Sequence, residues 1–180
     1  QIASKSDAGG LVFSPDGAYL YHRNFFGDPA RMHVLGGASN LLLKDVSSSV
    51  SFSPDGKRFA FLRASNTGTE GASLLVANAD GTGETLVAAS KHSDSFEKAV
   101  AWSPDGKVIA CGVRHIDPQS TYMSVVQVQV ASGQAQAITN EKWFEVTDLA
   151  WLSDGSGLFV VVSEQESLLL QKIWNISYPK

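Results

Sequence analysis

At 180 residues, with 14 basic and 18 acidic side chains and a formal net charge of −4, the chain predicts a single domain without a basic stripe. That balance excludes nucleic acid as the expected partner, because neutralising a phosphate backbone takes clustered Lys and Arg. A hydrophobic content of 43% excludes a wholly disordered chain, and no apolar run approaches the ~18 residues that membrane insertion of this segment would need.

In chain order, Gln1-Ile2-Ala3 reads as the tail of an outer strand. A start in mid-pattern, with no Met and no basic-then-apolar leader, reads as a piece of something longer. The first repeat, about 9–44, carries Val12-Phe13-Ser14-Pro15-Asp16-Gly17 and places His22 where its sister repeats have a core residue. That histidine is read as a slipped register or as a ring satisfied by a neighbouring backbone carbonyl, ahead of a functional histidine facing a channel. The second, about 48–89, predicts strands at Ser49–Phe52, Arg58–Leu62, Ser73–Asn78 and Glu84–Ala88. The third, about 98–139, predicts Val100–Trp102, Val108–Val113, Met123–Val130 and Gln136–Thr139. The fourth, about 147–180, ends on Lys172–Ser177 and lacks an outer strand of its own. Apolar residues alternate or run in short blocks between turn residues, which is strand behaviour.

Each repeat is built on one phrase. Its copies are Ser14-Pro15-Asp16-Gly17, Ser53-Pro54-Asp55-Gly56, Ser103-Pro104-Asp105-Gly106 and the decayed Leu152-Ser153-Asp154-Gly155, with successive aspartates 39, 50 and 49 residues apart. Proline presets φ at the first corner, aspartate bonds back to backbone amides, and glycine supplies the positive φ that closes a hairpin. Single carboxylates in tight hairpins do not supply the six to eight converging oxygens of a calcium site. A period of roughly 40–50 residues is the signature of a propeller or solenoid. The predicted fold is therefore all-β: a β-propeller of four-stranded antiparallel blades, four in this chain, forming a partial or assembled ring.

Chemistry is not expected within the chain. Gly-x-Ser-x-Gly is absent, the four histidines have no ligand-like spacing, and the lone Cys111 reads as a buried hydrophobe in a strand. No metal and no cofactor is predicted, and the expectation is a non-enzyme.

The phrase (F/W)-S-P-D-G-(K/R)-x-(I/L)-(A/V)-(F/Y), matched closely by Phe52 to Phe61 and Trp102 to Cys111 and in part by the other two copies, resembles the TolB-like, WD-related β-propeller repeats. The resemblance covers practically the whole chain. Such propellers occur in periplasmic TolB, in the non-catalytic half of prolyl-oligopeptidase-type enzymes, and behind some bacterial transmembrane Ser/Thr kinases. Ile173 to Pro179 and Ala137 to Asn140 are similar to the last group. The resemblance implies an extracytoplasmic binding module, a sensor or scaffold for a protein or peptide, with a hydrolase-gating propeller as the alternative. A homodimer through open blade edges is the further partner expectation.

In that topology the Ser-Pro-Asp-Gly turns lie on one face, and longer loops emerge on the other, at 23–31, 63–71, 91–98, 114–121 and 140–147. Arg23, Arg63 and Arg114 each begin such a loop and read either as solvated strand-end residues or as bidentate contacts to an acidic peptide or carboxylate. His115 follows Arg114, and Trp143 with Phe144 reads as an exposed-looking aromatic pair that either anchors a partner or packs between adjacent blades. These six are the candidate binding residues, while Asp16, Gly17, Asp55, Gly56, Asp105, Gly106, Asp154 and Gly155 are candidates for the structural turns.

Overall fold

A computed structural model describes residues 9–23, 28–65, 70–165 and 170–178. The described residues hold strands and no helix. Blade 1 is β1 (Gly9–Phe13), β2 (Tyr19–Arg23), β3 (Pro29–His33) and β4 (Asn40–Leu41). Blade 2 is β5 (Ser51–Phe52), β6 (Arg58–Arg63), β7 (Glu70–Asn78) and β8 (Thr85–Lys91). Blade 3 is β9 (Asp94–Trp102), β10 (Val108–Ile116), β11 (Thr121–Gln129) and β12 (Ala135–Ala137), and blade 4 is β13 (Glu145–Trp151), β14 (Gly157–Ser163) and β15 (Gln171–Ser177). All neighbours pair antiparallel, in the up-and-down order expected of propeller blades. Blades 2 and 3 run together as one eight-stranded sheet, joined where Lys91 pairs with Asp94.

The turns hold themselves together. Ser53 Oγ donates to Asp55 Oδ1 at 2.6 Å and accepts from the Arg58 amide at 3.1 Å, while the same Oδ1 accepts from the Lys57 amide at 3.1 Å. Ser14–Asp16 and Ser103–Asp105 repeat the arrangement. In blade 4, where Leu152 replaces the serine, Asp154 Oδ1 still accepts from the Ser156 amide at 3.0 Å. Gly17, Gly56, Gly106 and Gly155 all have φ near +70°, between 68° and 75°, a region costly for a residue with a Cβ. The hydroxyl first, and the amide second, hold the carboxyls of Asp16, Asp55 and Asp105 below the usual carboxylate range.

Packing runs between blades. One apolar cluster joins blades 1 and 2 (Tyr21, Leu43, Phe59, Phe61), one joins blades 2 and 3 (Leu62, Leu74, Trp102, Ile109, Cys111), and one joins blades 3 and 4 (Met123, Trp143, Val146, Leu158, Val160). The third and fifth residues after each turn glycine thus face the preceding blade. This explains why blade 1 tolerates His22 at such a position: no described blade precedes it, and the buried ring shares a 2.7 Å hydrogen bond with Ser39 Oγ. Phe13, the motif aromatic of blade 1, is 63% exposed for the same reason, whereas its counterpart Trp102 is buried against blade 2. Burial pushes the Cys111 thiol pKa up, out of reactive range.

Three expected loops are shorter than the sequence predicts. Most of 91–98 is strand, because β9 extends back to Asp94; β10 and β11 reach Ile116 and Thr121; and β13 begins at Glu145. Long cross-strand pairing, down to His115 opposite Asp94 and Tyr122, outweighs the polar composition of these stretches.

Candidate functional site

The strand ends opposite the Ser-Pro-Asp-Gly turns gather most of the charged groups. There the six predicted binding residues fall into different settings. Arg63 folds back over the Phe61 ring (5.4 Å), pairs with Glu84 at 2.6 Å and donates to the Lys44 carbonyl. Arg114 donates to Glu97 at 2.9 Å and lies 3.8 Å from Met123 Sδ. Both guanidiniums are thus paired within the chain. Cross-strand carboxylates supply the counter-charge, and sequence spacing does not reveal them. The side chain of Arg23 lies outside the described residues.

His115 is the centre of a three-strand ladder. Its Nδ1 is 2.8 Å from Asp94 Oδ1 on β9, its Nε2 is 2.8 Å from Ser124 Oγ on β11, and its ring stacks on Tyr122 at 4.8 Å. Carboxylate, imidazole and hydroxyl follow the atom order of a hydrolytic triad. Ser124, however, is buried in the middle of a regular strand paired to Val113, where a nucleophile has no approach. The ladder clasps three strands together, and the His115 hydrogen bond is the largest influence lowering the Asp94 carboxyl pKa.

Trp143 is 3% exposed and packs between blades 3 and 4, so of its two readings it takes blade packing rather than a partner contact. It bridges to Met123 through paired backbone hydrogen bonds and meets Trp174 edge-on at 5.8 Å. Phe144, 38% exposed, is the one of the pair that reaches solvent. Lys142 sits over the Tyr122 ring at 4.1 Å.

Two clefts accompany these groups. One, of about 310 Å³, opens on the loop face between blades 2 and 3 and is lined by residues including Ser47, Glu70, His92, Ser95, Glu97 and Lys98. The other, of about 630 Å³, lies on the turn face between blades 3 and 4, where Trp151 and Tyr178 meet edge-on beside Asp105, Lys107 and Gln129. Polar groups on the turn face close on one another: Asp105 on Ser103, Tyr178 on Gln127, and the Trp151 indole on the Ala101 carbonyl.

The loop face also contains a group that sequence reasoning missed. Glu145, the first residue of β13, is 5% exposed and accepts a hydrogen bond from Lys98 Nζ through Oε1. Its other oxygen, and the hydroxyl of Ser163 directly opposite on β14, are buried without a hydrogen-bond partner. Glu97, Lys98 and Glu145 fall in stretches that read as polar loop. No alternation marks Glu145 as buried: once the Val146–Asp148 irregularity is allowed for, it shares a face with Asp148, while Val146 and Leu149 point to the other side, into the apolar cluster. Among the described residues no cluster of three or more His, Cys, Asp and Glu side chains could hold a metal ion.

Repeated four-stranded blades, self-closing turns and a polar loop face define the class: the fold is that of a TolB-like β-propeller. A putative TolB from Agrobacterium tumefaciens superimposes with a TM-score of 0.76 at 17% identity, over 97% of this chain and 64% of that one. TolB from Acinetobacter baumannii gives 0.71 at 18% identity, over 97% and 42%. A chain from a study of two prolyl endopeptidases gives 0.60 at 16% identity, over 97% and 28%. This chain therefore spans less than two thirds of the length of those structures. No family model and no curated protein matches it.

Proposed function

We propose that the chain is a non-catalytic recognition module, a sensor or scaffold segment of a larger protein, whose loop face holds a protein or peptide partner. The observation carrying this reading is the contrast between the two faces. Turn-face aspartates close their own hairpins, whereas on the loop face Glu70, His92, Glu97 and Lys98 line an open 310 Å³ cleft, Glu97 and Lys98 also pairing with Arg114 and Glu145. A cleft at the small end of ligand-pocket sizes suits one or two partner side chains, and the exposed Phe144 offers an aromatic anchor of its own. Apolar surface at the arc ends, with Phe13 on blade 1 and Ile173 on blade 4, supports packing of further blades or a second copy there as part of the same proposal.

The test is selection of peptides from a displayed random library on the immobilised 180-residue chain, followed by titration of the winners against variants. Phe144→Ala and His92→Ala are expected to weaken them about tenfold or more, a typical hot-spot loss, while Lys107→Glu on the turn face leaves them unchanged. Winners that respond to Lys107→Glu alone would place recognition on the wrong face and sink the reading.

The likeness to prolyl endopeptidase chains favours a second reading, in which the propeller sits beside a hydrolase domain and limits access to it. A Ser-Asp-His hydrolase domain in the same gene would select this alternative.

A further inference from the structure

Buried carboxylates in proteins are paired, and their remaining lone pairs are satisfied by donors. Glu145 meets half of that requirement. Lys98 reaches across from blade 3 to Oε1 only, while Oε2 and the neighbouring Ser163 Oγ are both enclosed and unpartnered. As direct cross-strand neighbours in an antiparallel pair, Glu145 and Ser163 project from the same face, so both atoms can address one donor group. Two acceptor oxygens and a counter-charge requirement describe an ammonium, whose three N–H donors can bridge a carboxylate and a hydroxyl. They do not describe an anion, which Glu145 repels, or calcium, which needs several more oxygens.

Lys98 behaves as an occupant that can leave. Its side chain is 45% exposed and also lines the loop-face cleft. Its backbone stands at φ +60°, a conformation unfavourable for a lysine and one that tends to persist where function requires it. Glu70 and Glu97 line the same cleft, Glu97 being paired with Arg114.

We propose that Glu145 and Ser163 form a primary-ammonium subsite which Lys98 occupies only in part, through Oε1, and that the lysine side chain of a bound peptide displaces Lys98. This deepens the recognition reading above and rests on it, reversing the polarity that the strand-end arginines suggested: the partner brings a cation.

The experiment titrates N-acetyl-lysine methylamide into the isotope-labelled 180-residue chain and follows the amides of Glu145 and Ser163 by NMR, with N-acetyl-norleucine methylamide as the neutral control. Removing the internal competitor in Lys98→Ala is expected to tighten lysine binding about tenfold or more; Glu145→Gln abolishes it, and norleucine binds neither form. A free α-amine is distinguished by Gly-norleucine methylamide, which should bind less well than the lysine compound. Should Lys98→Ala fold poorly, Lys98→Gln takes its place, and n-butylammonium should raise the melting temperature of either variant where sodium chloride at equal ionic strength does not. Equal binding of lysine and norleucine, or affinity indifferent to Glu145→Gln, overturns the subsite. If that happens while library peptides still depend on Phe144, the recognition reading stands and only the ammonium subsite falls. If lysine binds but library peptides ignore the loop face, the reverse holds.

Discussion

Trp143 and Phe144 are adjacent in sequence and have opposite roles. The indole of Trp143 fills the junction of blades 3 and 4 between Met123 and Trp174, and truncating a buried aromatic of that size costs about 3–5 kcal/mol. Phe144 turns to solvent, where substitutions away from special features usually change stability by about 0.5 kcal/mol or less. Urea denaturation of Trp143→Ala and Phe144→Ala should therefore separate them by several kcal/mol, with only the second retaining a near-native midpoint. Equal midpoints would contradict this placement of Trp143. Sequence alone could not divide the pair, because which of two neighbouring aromatics turns inward is decided by a bridge to Met123, twenty residues upstream.

The turns are the elements most fully legible in the sequence, since each closes within about six residues and its partners are neighbours in the chain. They also predict an acid response. The folded pKa of Asp16, Asp55 and Asp105 lies below the unfolded value, so the unfolded chain takes up protons first as pH falls. Their contribution is fully present above the ordinary carboxylate range and drains away below about pH 4. The triple variant Asp16→Asn, Asp55→Asn, Asp105→Asn keeps an acceptor oxygen at each turn but no proton equilibrium. Its melting temperature between pH 3 and 6 should fall less steeply than that of the parent, and parallel slopes would refute the linkage. The ion pairs, by contrast, were illegible: Arg114–Glu97 and Lys98–Glu145 join residues 17 and 47 apart and depend on where strands begin.

At the scale of the whole molecule, the blades are not equally supported. Blades 2 and 3 share one continuous sheet and have an apolar cluster on each side, whereas blades 1 and 4 are packed on one side only among the described residues. Native-state hydrogen exchange should show β10 and β11 opening last, with β1 and β15 among the first strands to exchange. Uniform protection across all four blades would mean that the arc opens as one unit. The repeat period reveals the blades and their order but not this gradient, which follows from what lies on either side of each one.

The polar bonds at the blade junctions have a consequence for heredity. A turn whose hydrogen bonds close on itself can be copied with its blade and work wherever it lands. The junctions are individual: Tyr21 Oη donates to the Ala79 carbonyl between blades 1 and 2, the Trp102 amide to Ser51 Oγ between 2 and 3, and the Trp151 indole to the Ala101 carbonyl between 3 and 4. A blade copied to another place in the array would carry its turn bonds with it and leave its seam bonds behind. The seam bonds therefore distinguish one junction from the next in a chain whose turns are nearly interchangeable.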